Sequence, residues 1–528
     1  MNQQGVRYMI KIHRPGCLLL AGTAGLGIAM SQTAIAANEP SNADLARLVQ
    51  QQAAQIQQLK QRLQAVEQQE KTSRQTSVAA TSRPVSASDS RKNAPSVPDG
   101  QAAKPAASEG NDAGNATLSK RVAALESQGL KVDWSDGAPE FSSADGQYSF
   151  GIGGRVQYDF STTSGSRYDG AGDEANLNSR NITGTEFRRV RLDAHGQITD
   201  PILYKVELDF AGNDVTLRDA YLAAQKKFAL GKGTIYLGNK RADLGLDAGT
   251  SSKWTWFTER NTVANAILSE AGTYNTGAFG SFNGHDWHYS LGVTKGGTST
   301  SNRASNNFEI ASRAHWDPID TGNTIVHLGV NGFYEDIDRE RQDRIASNEI
   351  IAGHYNGNLR VASAAVDDPK SSHAFGFELA GLTGPFAAGA EWGRRDIESR
   401  NGPGTHYTAY AGQVGYSLTG EAFGYSTSQG VWTHPDVAHP VGQGGWGAWQ
   451  LVARYQALDF QNSGQYRGGT GHATSVGLDW YLNDWVRGIL DYSRWQTNNR
   501  IPLAGTPDDG YYGADDGNTV NARAQIVF

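Results

Sequence analysis

The stretch YSFGIGGRVQYDF, at Tyr148–Phe160, alternates apolar with polar or small side chains. The apolar positions are Tyr148, Phe150, Ile152, Val156, Tyr158 and Phe160, and the others include Ser149, Gly151, Gly153, Arg155, Gln157 and Asp159. Successive side chains of a β-strand point to opposite faces, so the stretch predicts a strand with one apolar and one hydrophilic face. Such a strand suits a boundary between an apolar phase and water.

The same period of two recurs along the chain, at EFRRVRLDAHGQI (186–198), YKVELDF (204–210), TSVGLDWYLN (474–483) and TVNARAQIVF (519–528). Soluble β-sandwiches also alternate, so the alternation leaves a soluble all-β secreted domain open. The connections favour a different fold. Tight turns at 199–201, 283–285, 383–385 and 482–484 are separated by long polar loops at 161–185, 242–272, 338–371 and 499–518.

Short turns at one end and long loops at the other are typical of an up-and-down outer-membrane β-barrel. Aromatic residues near segment ends, such as Tyr148, Trp287 and Phe528, fit the interfacial girdles of that fold. The segments number about sixteen, which is in the porin range. The sequence therefore predicts an all-β transmembrane protein, an antiparallel barrel over residues 148–528 in the outer membrane of a Gram-negative bacterium.

The N-terminal part has a different composition. A basic start, the apolar run 18–30 and AIAA at 34–37 predict a cleaved signal peptide over residues 1–36, with a membrane anchor as the alternative. Residues 41–70 carry a heptad pattern formed by Leu45, Val49, Gln52, Ile56, Leu59, Leu63 and Val66. This pattern predicts a periplasmic α-helical coiled coil, with a lone amphipathic helix as the alternative. Residues 71–130 read as a disordered linker with a short helix.

Several function classes are excluded or disfavoured. The net charge of −7 argues against a nucleic-acid binder, and the single cysteine, Cys17, lies in the signal segment, which removes thiol chemistry and disulfides. No G-x-S-x-G motif occurs, and GIGGR at 151–155 lies inside a strand. His434 and His439 suggest a metal pair, but the adjacent prolines favour a rigid loop. We therefore expect neither an enzyme nor a cofactor.

Basic residues are frequent on the hydrophilic face of the strands: Arg155, Arg189, Arg191, Lys205, Lys240, Arg313, Arg487 and Arg523. A charge on the lipid face is costly, so alternation places these groups in a water-filled lumen, where they favour anions. Acidic residues such as Asp159, Glu207 and Asp209 share that face. The constriction, rather than the total charge, must therefore decide selectivity.

The loop RADLGLDAGTSSKWTWFTERNTVANAIL, at 241–268, is the candidate constriction. Trp254, Trp256 and Phe257 are too apolar for a free surface loop. If they pack into the barrel mouth, the loop presents to solutes the residues Ser251, Ser252, Lys253 and Arg260. A lid or a contact between trimer subunits is the alternative.

Several stretches of the chain together resemble those of a known protein family. GGRVQYDF, FRRVRL, LGLDAGTSSKW, GAWQLVARY, GLDWYLND and the closing RAQIVF, in this order over nearly all of 148–528, resemble the phosphate-selective porins O and P. This resemblance implies a trimeric sixteen-stranded anion channel constricted by inward-folded loops. It carries the family's arginine pair to Arg188 and Arg189, its strand-three aspartate to Asp209 and its third-loop cluster to Ser251, Ser252 and Lys253. A fifth-loop arginine ladder is suggested by Arg339, Arg341, Arg344 and Arg360.

Three positions depart from the family pattern. Ala248 stands where phosphate channels have a lysine, Arg191 where an aromatic is common, and Arg241 at a position that tunes substrate size. The resemblance implies a channel for phosphate or polyphosphate. The lost lysine weakens one contact with phosphate, and the added arginines favour larger or more charged anions.

The function that we predict is passive diffusion of such anions through an Arg/Lys-lined constriction of a homotrimer in outer-membrane lipid. The coiled coil is a candidate for peptidoglycan binding. The alternatives are a structural protein that tethers the outer membrane to the cell wall, and a barrel enzyme.

Overall fold

The computed structural model describes residues 129–134, 137–168, 179–212, 214–295, 307–338, 344–461, 467–499 and 513–528. The predicted signal peptide, coiled coil and nearly all of the linker lie outside the described residues.

Sixteen antiparallel strands form the barrel wall. They are β1 (Ser149–Ser164), β2 (Thr183–Thr199), β3 (Ile202–Asp209), β4 (Thr216–Phe228), β5 (Gly231–Arg241), β6 (Tyr274–Asn283), β7 (Trp287–Thr294), β8 (Phe308–Asp320), β9 (Thr324–Asp336), β10 (Pro369–Thr383), β11 (Phe386–Ser399), β12 (Thr405–Ser417), β13 (Ala448–Gln461), β14 (Arg467–Tyr481), β15 (Val486–Asn498) and β16 (Ala514–Val527). Each strand pairs with the next in the chain. β16 pairs with β1, for example Arg523 opposite Asp159, so the sheet closes and has no free edge.

A small hairpin precedes the barrel. Its strands, Leu130–Asp133 and Glu140–Ser143, pair with each other, and the second pairs with the start of β1. The remaining short strands lie in the connections, as Arg344–Ile345 with Val366–Asp367, Asn348–Ile350 with Arg360–Ala362, and Gly424–Ser426 with Val431–Thr433.

Alternation divides every wall strand into an outer and an inner face, as predicted. In β1, Phe150, Ile152, Tyr158 and Phe160 are exposed on the outside. Gln157 and Asp159, between them, are buried inside. The outer surface is thus apolar and the inner surface polar, because the pleat sends alternate side chains to opposite faces.

The connections at one end are tight turns, with one exception, whereas the longest loops lie at the other end, where the connections 210–215 and 400–404 are short. All four predicted tight turns occur at one end, which we call the tight-turn end, and β4–β5 and β8–β9 are also joined there by short turns. The exception is the connection between β12 and β13, residues 418–447, which is long although it leaves from the tight-turn end. We call residues 418–447 the β12–β13 segment and residues 242–273 the β5–β6 loop.

No helix of the described residues has the length and hydropathy to cross a membrane. The two helices that bear on the site are short ones in the β5–β6 loop, α1 (Leu246–Gly249) and α2 (Thr262–Ala266).

Candidate channel constriction

The β5–β6 loop lies inside the barrel. Leu246 and Phe257 are each only 1% exposed, and Trp256 is 3% exposed, so the apolar residues of the loop are covered by the wall and by other inward segments. Burial of these side chains stabilises the inward position through the hydrophobic effect. The β5–β6 loop carries apolar residues because they are buried inside the barrel.

One side of the loop is fastened to strands β11, β13 and β15. Glu391 accepts hydrogen bonds from the backbone N–H of Leu246 at 2.8 Å and from Asn261 Nδ2 at 2.6 Å. Asp491 accepts bonds from the N–H and the hydroxyl of Thr258, at 3.1 and 2.8 Å. Gln456 likewise accepts the N–H at the start of α2, from Thr262. These buried acceptors satisfy loop donors that water would otherwise have to reach.

The opposite side of the loop faces strands β1 to β3. Arg155 donates from Nη1 to Ser252 Oγ at 2.9 Å and to Ser251 Oγ at 3.3 Å. Gln157 Nε2 donates to the carbonyl of Ser252 at 2.8 Å. The first-strand arginine and the serine pair, both predicted site residues, are therefore in direct contact.

A bulge in β2 brings two consecutive arginines into the lumen. Gln157 is opposite Arg189 and Tyr158 is opposite Phe187, so Arg188 is an extra residue between the paired positions. A regular strand would point Arg188 towards lipid, since Arg189 points inward. With the bulge, Arg188 and Arg189 line the same cavity.

Two cavities flank the loop within the barrel. The outer cavity, of about 180 Å³, is lined by Arg188, Arg189, Arg191, Arg218, Arg241 and Arg260, with Glu259 as its acidic residue. The inner cavity, of about 630 Å³, contains Arg155, Lys205, Lys232 and Lys240, with Glu207, Asp219 and Asp243. Arg191, Arg241, Ala242 and Tyr274 line both cavities. These shared residues lie between the two cavities.

Most lumen arginines are ion-paired. Arg191 binds Asp209 through Nε at 2.8 Å and Glu207 through Nη1 at 3.1 Å, and Arg155 binds Glu207 at 3.1 Å. Asp209 also accepts Arg218 at 3.3 Å, so this aspartate positions two arginines. The pairs Arg313–Glu378, Arg487–Asp479 and Arg523–Asp159 are buried in the same way. Much of the positive charge read from the sequence is thus neutralised locally.

Three arginines of the outer cavity are held by uncharged groups. Arg189 donates to the side-chain oxygen of Gln157 at 2.9 Å. Arg260 donates to the carbonyls of Asp247 and Thr250 at 3.0 and 2.7 Å, and Arg241 donates to those of Thr250 and Gly249. In the part of the chain that the structure describes, none of these three has an acidic side chain within ion-pair distance. Their positive charge remains available to a solute.

Lys205 and Lys240 line the inner cavity, and a third lysine, Lys253, lies in the β5–β6 loop. Lys205 lies 3.6 to 4.0 Å from Asp193, Glu207 and Asp219. The ammonium group of Lys240 is 5.0 Å from the ring centre of Tyr236, a cation–π distance. Burial, and then the charge of Arg155, lower the pKa of Lys253 to about 8. Lys253 is therefore the lysine of the loop whose charge responds to moderately alkaline pH.

The β12–β13 segment also folds into the barrel, which was not predicted from the sequence. Trp432 and Phe423 pack on Trp256 with ring centres 4.7 and 4.8 Å apart. Ser428, Gln429 and Val431 line the inner cavity. The lumen is therefore narrowed from both ends. The one available hint was the length of the polar stretch after Ser417.

Other predicted residues lie elsewhere. The ring of His434 packs beside Trp254, at 5.1 Å, and its Nδ1 is 3.0 Å from the Pro435 carbonyl. Arg344 is exposed near Asp367, whereas Arg360 donates to the carbonyls of His354 and Asn356. Arg339 and Arg341 lie outside the described residues, so the predicted arginine ladder is not tested by them.

The fold and site together define a class of protein. A closed barrel with an apolar outer face, a charged interior and segments folded into its lumen is a porin of the outer-membrane type. A sequence profile described as phosphate-selective porin O and P matches residues 150–528. The chain belongs to the phosphate-selective porin O and P family, as its motifs indicated. Family and barrel indicate a multi-pass protein of a Gram-negative outer membrane, and a channel rather than an enzyme.

Two relatives are similar over most of the chain. Porin O of Pseudomonas aeruginosa is 26% identical over 421 residues, which cover 74% of this chain and 91% of the relative. An uncharacterized protein of Caulobacter vibrioides is 26% identical over 385 residues, covering 71% and 73%.

Solved structures with a similar fold are more distant in sequence. OmpT, an outer membrane protein of Vibrio cholerae, has a TM-score of 0.45 and 11% identity, covering 72% of this chain and 98% of its own. An anion-selective porin from Comamonas acidovorans has a TM-score of 0.41 and 12% identity, covering 72% and 100%.

Proposed function

We propose that the protein is a passive channel for anions of the phosphate class. Solutes pass from the outer to the inner cavity between Arg191, Arg241 and Tyr274. This proposal rests on the observation that Arg189, Arg241 and Arg260 converge on the outer cavity, while their guanidinium groups bond only to uncharged groups among the residues that the structure describes. A guanidinium group held in this way keeps its charge and presents paired donors to phosphate oxygens.

Polyphosphate and pyrophosphate fit this proposal better than a single orthophosphate. Ala248 lines the outer cavity, where a short side chain leaves space beside Arg241 and Arg260. Lys253, Ser251 and Ser252 lie on the side of the loop that faces Arg155, and Arg155 and Ser251 line the inner cavity. An extended anion can therefore contact basic groups of both cavities at once, which strengthens its electrostatic attraction.

Planar-bilayer recording tests the proposal. We expect the reversal potential in a KCl gradient to show anion selectivity, and pyrophosphate to block the chloride current at lower concentration than orthophosphate. Removing one charge-assisted contact costs about 1.5–3 kcal/mol, so Arg241→Ala should raise the half-blocking concentration roughly 10- to 100-fold. Arg241→Lys should restore part of the block, and Arg494→Ala, at an exposed arginine of β15, is the matched control.

Arg191, which lies between the two cavities and is ion-paired, is tested by a separate variant. Arg191→Ala removes one charge but also leaves Glu207 and Asp209 facing the passage. We therefore expect a greater loss of anion selectivity for Arg191→Ala than for Arg241→Ala, together with weaker block by pyrophosphate. A parent channel that is cation-selective, or a barrel that does not conduct, would refute the proposed function.

We extend the proposal to a homotrimer in outer-membrane lipid. β3 and β7 have only 8 residues each, against 16 in β1 and 17 in β2. A tilted strand needs about 9–11 residues to span the membrane core, so the low wall at these two strands is the natural contact for neighbouring copies. Light scattering of the detergent-solubilised protein should give three chains per particle.

The predicted coiled coil, 41–70, remains a candidate for cell-wall binding. We expect the full chain to co-sediment with peptidoglycan and a chain that lacks residues 41–116 to remain in solution. Equal sedimentation of both proteins would contradict a tether in this segment.

A further inference from the structure

A buried group of potential metal ligands lies behind the inner cavity, towards the tight-turn end. His315 and Asp317 are on β8, His327 is on β9, and Tyr425 comes from the β12–β13 segment. We call these four residues the β8–β9 histidine cluster. None of them belongs to the lining of the two cavities described above. The channel proposal does not use them.

Ordinary alternation and a bulge together place the cluster. Asp317 is two residues after the inward-facing His315, so it points inward on the same face of β8. Trp316 is opposite Leu328 and Ile319 is opposite Val326, so Asp317 and Pro318 together face the single residue His327. Proline has no N–H to contribute to the ladder, and the extra residue turns the strand locally, so that Ile319 is exposed on the outer face.

The ligand atoms are close together. His315 Nε2 is 3.7 Å from Asp317 Oδ2, and His327 Nδ1 is 3.5 Å from Asp317 Oδ1. The Tyr425 hydroxyl is 2.9 Å from Asp317 Oδ1 and 2.7 Å from His327 Nδ1. The two histidines and the aspartate offer atoms that all lie within 4.8 Å of one another. Zinc–ligand bonds of about 2.0–2.2 Å in a tetrahedron separate ligands by roughly 3.3 Å, so small shifts suffice.

The cluster is incompletely satisfied. The side chains of His315, Asp317 and His327 are fully buried. Within the described ranges, Asp317 Oδ2 and His315 Nδ1 have no hydrogen-bond partner. An unpartnered carboxylate oxygen in a fully buried site is costly, which calls for an explanation. A cation would supply the missing partner. Two contacts compete with a cation: the Thr427 carbonyl lies 2.8 Å from His315 Nε2, and the Tyr425 hydroxyl lies 2.7 Å from His327 Nδ1.

The surroundings orient one ligand for a metal ion. His327 Nε2 is 3.2 Å from Glu378 Oε2, and Glu378 is paired with Arg313 at 2.7 Å. A carboxylate that accepts Nε2–H leaves the lone pair of Nδ1 for the cluster. Metal-binding histidines commonly have such a carboxylate partner on the second nitrogen.

We propose that the β8–β9 histidine cluster binds a divalent transition-metal ion, with Zn²⁺ the best match. His315, Asp317 and His327 supply two nitrogens and one carboxylate oxygen, and the Tyr425 oxygen completes four ligands. His315 exchanges its contact with Thr427 for the ion. Because Tyr425 belongs to the β12–β13 segment, the ion fastens that segment to the wall. The segment carries Ser428 and Gln429, so the same ion stiffens one side of the inner cavity.

Zinc binding to the full chain without an affinity tag tests the proposal. The protein is treated with EDTA, dialysed against buffered ZnSO₄, and its bound zinc is measured by mass spectrometry. We expect one zinc per chain for the parent protein, a raised melting temperature, and an X-ray absorption spectrum with two imidazole ligands. Asp317→Asn should lose the zinc. His285→Ala is the matched control, since this histidine is 84% exposed beside a turn.

Tyr425→Phe is a second variant in case Asp317→Asn does not fold. It alters a side chain of the β12–β13 segment and leaves the strands of the barrel wall unchanged. We expect it to bind zinc at least tenfold more weakly while it retains the heat-modifiable migration of a folded barrel. A folded parent that binds no zinc, or the same zinc content and affinity in the parent, Asp317→Asn and Tyr425→Phe, would overturn the proposal. The cluster would then be a hydrogen-bonded contact only.

Discussion

Arg188 binds both carboxylate oxygens of Glu259, with Nε to Oε1 at 2.7 Å and Nη2 to Oε2 at 3.0 Å. The pair joins the bulge of β2 to the β5–β6 loop, and Arg523 of β16 approaches the same carboxylate at 3.4 Å. Burial raises the pKa of Glu259, but Arg188 and Arg189 outweigh burial and hold it well below its usual range. Glu259 is therefore a fixed negative charge in the outer cavity.

Removing that charge should change both selectivity and loop stability. We expect Glu259→Gln to increase the anion-to-cation permeability ratio, because Arg189, Arg241 and Arg260 lose the acidic group that offsets them. Breaking a buried pair costs about 3–5 kcal/mol, so the loop should also fluctuate more. Reversal potentials and open-channel noise report the two effects. Asp436→Asn, an exposed position with the same charge change, should alter neither.

Anion selectivity should fall as pH rises through about 8, the lowered pKa of Lys253. The lysine is protonated below this pKa, and its positive charge is lost above it. Reversal potentials measured on both sides of pH 8 test this expectation. Lys253→Arg should remove the pH step, since arginine stays charged. Lys227→Ala, at an exposed position, should keep the step, and an unchanged step in Lys253→Arg would contradict the assignment.

The contact between Trp432 and Trp256 should limit the current. Trp432→Ala removes a side chain that is 1% exposed, and truncations of this kind cost about 3–5 kcal/mol. The barrel wall should persist while the β12–β13 segment loosens, so we expect a larger single-channel conductance with weaker selectivity. Trp446→Ala is the control, because Trp446 is 81% exposed. Equal conductance of the two variants would contradict a constricting role for the segment.

On the outer face of β9, a charged side chain should be most destabilising in the middle of the membrane and least destabilising near its surface. Val330, in the middle of the strand, is exposed on the outside, so Val330→Lys should cost about 2–4 kcal/mol. Val326→Lys, on the same face near the tight-turn end, should cost about 0–1 kcal/mol, because the ammonium group reaches the interface. Urea titration of the lipid-embedded protein measures both variants. A similar cost at both positions would argue against a membrane-facing surface.

The wall of the barrel could be predicted because its signal is local. Side chains two residues apart share a face, so Phe150 and Gln157 could be assigned to opposite faces from the sequence. The inward position of the β5–β6 loop could also be predicted, because its apolar side chains are unfavourable on a free surface loop. The bulge at Arg188, by contrast, has no signature in the alternation, which would point this arginine outward.

Contacts between distant segments could not be predicted. The sequence placed Glu207 and Asp209 on the same face as the arginines, but which arginine each one neutralises depends on the register between strands. The β8–β9 histidine cluster needs Tyr425, which is distant in sequence from His315. His315 and Asp317 alternate along one strand, but the sequence does not show that Tyr425 meets them.

The attachment of the β5–β6 loop to Glu391, Gln456 and Asp491 separates the groups that select from the groups that support. Residues that face the solute can be exchanged while the three acceptors continue to hold the loop backbone. Selectivity can therefore diverge among related barrels while the strands of the barrel wall remain unchanged. A loop transplanted from a relative should function here only when its backbone donors meet these same three acceptors.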